Sequence, residues 1–118
     1  MCVTDLLSHP DLEPMIFIET PAFTADMKEL LPDHSYAELQ RELIARPRAG
    51  DLIPGTGGLR KIRWKLPGQG KRGGARVIYY LRASQSQIWL LAIYGKGIKN
   101  DLTAAEKKRM RLFVEHWS

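Results

Sequence analysis

Cysteine is almost missing from this chain of 118 residues. Cys2 stands alone, so no internal disulfide can form, which fits a reducing compartment. Histidine is scarce too: His9, His34 and His116 lie far apart with no second ligand at metal spacing, which argues against a metal site. No apolar stretch approaches the roughly 20 residues that span a bilayer. The opening Met1-Cys2-Val3-Thr4-Asp5 lacks the basic and apolar regions of an export signal, so a cytoplasmic protein is expected. The sharpest absence is of negative charge. Residues 52–100 carry ten Lys or Arg and not one Asp or Glu, whereas residues 1–51 hold ten acids against four bases. The net charge of +5 hides that asymmetry.

The basic block is not a disordered arm. It is interleaved with Ile62, Trp64, Val77, Ile78, Tyr79, Tyr80 and the apolar run 88–94, and 44% of the whole chain is hydrophobic. Charge carried on a folded sheet is a positioned surface, and a phosphate backbone is its commonest partner. The length allows one domain with one core.

Residues 1–14 contain Pro10 and Pro14 and no sustained period, and read as a loose leader with at most one short turn of helix at Thr4–Ser8. The domain is expected to span residues 15–118, and Met15 is a plausible natural start. Met15-Ile16-Phe17-Ile18-Glu19 reads as a strand. Thr20-Pro21 opens a helix with Thr as N-cap and Pro at the first helical position. Phe23, Met27, Leu30 and Leu31 form its apolar stripe before Pro32 stops it. Ser35 with Glu38 suggests a capping box for a second helix whose stripe is Tyr36, Leu39, Leu43 and Ile44, closed by Pro47. A turn-rich stretch at 51–58 leads to strands at about 59–65, 75–83 and 87–94. Thr103 and Glu106 form another capping box, opening a last helix with Leu102, Ala105, Met110, Phe113, Val114 and Trp117 on its apolar face. The order β-α-α-β-β-β-α predicts an α+β domain: a twisted, mostly antiparallel four-stranded sheet with helices packed on one face.

Strand alternation puts Lys61 and Arg63 on one face and Ile62 and Trp64 on the other. In the next strand Arg76, Ile78 and Tyr80 share a face. If the helices cover the Ile62/Trp64 side, Lys61, Arg63 and Arg76 converge on an open surface. Lysines and arginines on sheet edges also discourage aggregation. Three cations on adjacent strands with no acid nearby favour phosphate binding, because clustered like charges cost stability unless something else benefits. Residues 68–73 match G-x-G-x-x-G, but with a strand on each side, not a strand before and a helix after, the dinucleotide reading fails. A mobile hairpin loop presenting Lys71 and Arg72 fits better. Tyr94 and Lys96, at the end of the last strand, join the same site, although Tyr94 also suits a half-buried core position. Trp64, Trp89 and Trp117 fall on apolar faces and read as core.

The basic segment offers no Ser-His-Asp, Cys-His or paired-carboxylate set. One reaction runs on Lys, Arg and Tyr alone: metal-free RNA cleavage by the substrate's own 2′-OH, which needs a base, cations for the charge on phosphorus, and an acid for the leaving 5′-oxygen. No cofactor is called for.

Three stretches in order carry a resemblance: residues 51–63 (DLIPGTGGLRKIR), residues 70–80 (GKRGGARVIYY), and Ile93-Tyr94-Gly95-Lys96 followed by Asp101-Leu102-Thr103. Together they resemble the RelE/HigB toxins of bacterial toxin–antitoxin pairs, the HigB-type branch most of all, over about residues 15–117. The resemblance implies a small RelE-like ribonuclease fold that enters the ribosomal A site, contacts 16S rRNA and cleaves mRNA. It also implies an antitoxin with a helix-turn-helix domain. By position, it implies Lys61 or Lys71 as base, Arg76 as phosphate stabiliser and Tyr94 as a proton-transfer group. Arg63 and Arg72 then position the RNA, with Arg60, Lys96 and Lys99 as further phosphate contacts. The segment 97–101 lacks the tyrosine and arginine that some RelE enzymes use there. ParE-type relatives share the fold but inhibit DNA gyrase, and a non-catalytic RNA- or ribosome-binding module is a third reading.

Overall fold

The computed structural model describes the backbone of residues 2–6 and residues 15–66, 74–95 and 102–117. Its elements are β1 (Cys2–Leu6), β2 (Met15–Glu19), α1 (Pro21–Leu30), α2 (Asp33–Ala45), β3 (Asp51–Leu52), β4 (Leu59–Trp64), β5 (Ala75–Arg82), a 3-10 turn (Ala83–Gln85), β6 (Gln87–Gly95) and α3 (Ala104–Trp117). They form one six-stranded sheet in the order β1-β2-β6-β5-β4-β3. The sheet is mixed: β2 runs parallel to β6, with Phe17 opposite Ile88, and every other pairing is antiparallel.

Two expectations about the sheet change. Six strands replace four, because the two-residue β3 pads the β4 edge and residues 2–6 pair with β2, Cys2 opposite Glu19 and Leu6 opposite Met15. Residues 2–6 therefore form an edge strand in place of the expected helical turn, and residues 7–14 of the expected leader lie outside the described residues. The helices also lie on both faces. α1 and α2 pack Phe23, Met27, Leu39 and Leu43 on Phe17, Val77, Tyr79, Ile88 and Leu90. Val114 of α3, with Phe113 and Met110 beside it, packs on Leu59, Ile78, Trp89 and Leu91 of the opposite face. Trp89 and Phe113 meet edge to face at 5.6 Å.

The local signals explain most element boundaries. Thr20 Oγ1 accepts from the Phe23 N–H at 3.1 Å, capping α1, and donates to the Leu91 carbonyl at 2.9 Å, tying the cap to β6. The capping box of α3 is complete, Thr103 N–H donating to Glu106 Oε1 at 2.9 Å and Glu106 N–H to Thr103 Oγ1 at 3.1 Å. The box expected at Ser35 and Glu38 does not form. α2 begins at Asp33 with Pro32 as N-cap, and Ser35 lies buried inside the helix. Pro32 is already extended (φ −63°, ψ 156°), so the helix opens three residues earlier than a Ser35 cap would have it. Buried Glu19 holds this layer together by accepting from Thr24 Oγ1 of α1 at 2.6 Å and Tyr36 Oη of α2 at 2.5 Å.

Tyr79 fixes the link between α2 and β3. Its hydroxyl donates to the Pro47 carbonyl at 2.8 Å and accepts from the Gly50 N–H at 2.9 Å, with the ring fully buried. Gly50 permits this approach, since a Cβ there would sit 2.8 Å from the Tyr79 ring. Tyr79→Phe leaves both backbone groups without the hydroxyl. It should destabilise the domain by about 1–3 kcal/mol, read as a fall in thermal midpoint of roughly 4 °C per kcal/mol. Burial, outweighing the lowering effect of the Gly50 hydrogen bond, pushes the Tyr79 pKa above its ordinary value. The folded state thus holds this proton more tightly than the unfolded chain does. Its contribution is complete below pH ~10 and is lost as pH rises through the folded pKa. Tyr79→Phe should therefore flatten the alkaline limb of a stability–pH curve.

Candidate functional site

Register, not sequence proximity, assembles the site. Arg63 of β4 lies opposite Arg76 of β5, and Arg76 lies opposite Tyr94 of β6. These three residues make one row across three adjacent strands on the face that α3 shares. Lys61, two residues before Arg63, stands on the same face in the next row, opposite Ile78. Four of the residues singled out in the sequence are thus brought together: Lys61, Arg63, Arg76 and Tyr94.

Their exposure differs. Arg63 is exposed and Lys61 half-buried, while Arg76 is 5% and Tyr94 6% exposed. The open surface expected here is partly roofed because α3 uses this face. Glu106 and Lys107, adjacent in its first turn, line clefts on the two flanks of the row: Glu106 beside Tyr94, Lys107 beside Lys61 and Arg63. Arg76 lies between them in register. Its guanidinium makes one long hydrogen bond among the described residues, Nη1 to the Ala75 carbonyl at 3.5 Å. A buried guanidinium holding so little of its donor capacity is suited to an incoming anion.

Arg60 is elsewhere. Alternation puts it with Ile62 and Trp64, and its Nη1 donates to the carbonyls of Gly50 at 2.8 Å and Arg48 at 3.3 Å. It fastens the α2–β3 connection and does not share the face of Lys61, Arg63 and Arg76. Lys71, Arg72, Lys96 and Lys99, with the glycine loop at 68–73, lie outside the described residues. Trp89 is core, as expected, and Trp64 is half-buried against the α1/α2 core.

Sequence reasoning missed two contributors. The cleft on the β4 side, about 420 Å³, is lined by Lys61 and Arg63 from the sheet, Asp51 from β3 and Lys107 from α3. Asp51 lies opposite Lys61 in the β3–β4 register, so one acid does stand at the margin of the basic face. The signal for Lys107 was its place beside Glu106 in a capped first turn, but only the packing of α3 brings it here. Arg63, Lys61 and Lys107 can hold phosphate oxygens, and the row behind them can stabilise charge developing on phosphorus.

No family model matches the chain. Among solved structures it is similar to the E. coli toxin RelE, determined in the free state as a variant with two arginines replaced by alanine. The TM-score is 0.52 at 15% sequence identity, over 81% of this chain and 92% of that one. The α+β architecture, with its mixed sheet and the three described helices, is a RelE-like fold.

Proposed function

We propose that the chain is the toxin of a toxin–antitoxin pair, of the HigB-type branch, and that it cleaves mRNA on the ribosome in the cytoplasm. The observation that carries this reading is the row Arg63–Arg76–Tyr94 with Lys61 beside it. Likeness of fold to a toxin and the acid-free stretch 52–100 support it. A base, Lys61 or Lys71, takes the proton from a ribose 2′-OH, and the 2′-oxygen attacks the adjacent phosphorus. Arg76 and Arg63 stabilise the added negative charge, and Arg72, Lys96 and Lys99 extend the hold on the backbone. Tyr94, opposite Arg76 in the sheet, is the proposed donor of a proton to the departing 5′-oxygen. The products are a 2′,3′-cyclic phosphate and a 5′-hydroxyl, so the chemistry needs no cofactor. Arg63 is exposed and Lys61 half-buried, so a phosphate meets them first, and Arg76, 5% exposed, lies deeper in the row. A helix-turn-helix antitoxin is the proposed protein partner.

Mapping 5′ ends of cellular mRNA after induction tests the reading. New 5′-hydroxyl ends inside codons are expected. Intact mRNA with lost DNA supercoiling would instead identify a gyrase inhibitor, and intact mRNA with stalled translation a binding module.

A further inference from the structure

Two clefts on one flank of α3 adjoin. The first, described above, joins Lys61 and Arg63 to Lys107. The second, about 500 Å³, lies between α3 and the turn after β3, and is lined by Lys107, Lys108 and Arg111 together with Pro54 and Gly55, with Glu115 as its one acid among the described lining residues. Lys107 and Pro54 line both. The three α3 cations share one flank because Lys107 and Lys108 lie four and three residues before Arg111 and so both neighbour it on the helix surface. Arg111 is paired with Glu115 at 3.0 Å, but both side chains are more than half exposed. Such a pair is weak and gives way to a phosphate.

The other flank of α3 has a different character. There the groove against α1 and β6 is lined by Asp26, Glu29 and Glu106, with Arg109 as its one cation among the described lining residues. Positive charge is thus continuous with the sheet row on one side of the helix only.

We infer that single-stranded RNA bound at the sheet row continues along this flank, with its backbone held by Lys107, Lys108 and Arg111. The inference rests on the ribonuclease reading and extends that site to an exit track for the nucleotides beside the scissile phosphate. The turn at Pro54–Gly55 forms the opposite wall, so the track is a bounded groove and not an open patch.

Binding of the full-length protein to 2′-deoxy-substituted, uncleavable RNA oligonucleotides of about 4 and about 12 nucleotides tests this, lengths within the range a single small domain covers. The triple variant Lys107→Gln, Lys108→Gln, Arg111→Gln should weaken the longer RNA by about ten- to a hundredfold at low salt. It should also reduce the slope of log affinity against log salt by about 2, as expected for three phosphate contacts on a single strand. The shorter RNA should lose much less. Asp26→Gln with Glu29→Gln, on the acidic flank, should not weaken either. Equal affinity of the triple variant and wild type for the longer RNA, or equal loss for both lengths, overturns the track. Failure of the wild type to bind RNA of either length overturns the track and the ribonuclease reading beneath it together.

Discussion

Expressed in growing cells, Arg76→Ala should fail to arrest growth, and its cleavage of ribosome-bound mRNA should fall by about 10²–10³-fold, the loss typical of removing one stabiliser of transition-state charge. The expectation comes from position: Arg76 is the middle of the row, flanked by Arg63 and Tyr94, and is the most buried of its cations. Low dielectric strengthens its field at the phosphate. Truncation removes little internal bonding, since the guanidinium makes only the 3.5 Å contact to Ala75 among the described residues. The variant's thermal midpoint, measured alongside, should therefore stay within a few degrees of wild type. Arg76→Lys keeps the charge but loses the planar fork, so it should restore only part of the activity. Undiminished arrest by a folded Arg76→Ala protein sinks the assignment.

Gly74→Ala should be the most damaging of the small-residue changes. A Cβ at Gly74 would lie 2.2 Å from the Trp64 carbonyl oxygen and 3.0 Å from the Lys65 Cα. Both atoms are backbone, so no side chain can swing aside, and the β4–β5 ladder must open at the end that carries Arg63 opposite Arg76. Overpacking costs about 1–3 kcal/mol where side chains can adjust, and a main-chain collision should reach at least the upper end. Thermal melting reads the stability loss, and mRNA cleavage per folded molecule reads the displaced row. Gly95→Ala, with nothing within 4 Å of its Cβ and no positive φ, is the comparison for steric contact alone. Melting of Gly74→Ala at the wild-type temperature would show that the hairpin end yields freely.

Much of this architecture was legible in the residues. Thr20-Pro21 and the pair Thr103/Glu106 set two helix starts because their bonding is local. Alternation put Lys61, Arg63 and Arg76 on one face because the side-chain period of a strand is two. Alternation also turned Arg60 away, and its charge, not its parity, made it a site residue by expectation. The side on which α3 packs was less visible. A helical stripe such as Met110, Phe113 and Val114 records that a face is buried but not what buries it. The unbroken apolar run from Ile88 to Leu91 was the clue, since a strand apolar on both sides needs cover on both. The failed box at Ser35 shows the limit of motif spacing: Pro32, immediately before Asp33, had already set an extended N-cap, and the helix started from it.

The parallel pairing of β2 with β6 has a consequence for how the chain is made. β4, β5 and β6 follow one another as antiparallel neighbours, so the strands that carry Lys61, Arg63, Arg76 and Tyr94 can assemble from short-range contacts. β2 cannot. Its inner neighbour is synthesised some 70 residues later, the span of the Thr20–Leu91 hydrogen bond. A nascent chain emerging at translation speed therefore carries Phe17 and Ile18 without their inner strand for most of its synthesis. The finished sheet, and with it the full row of cations on a rigid support, comes into being only once β6 has left the ribosome.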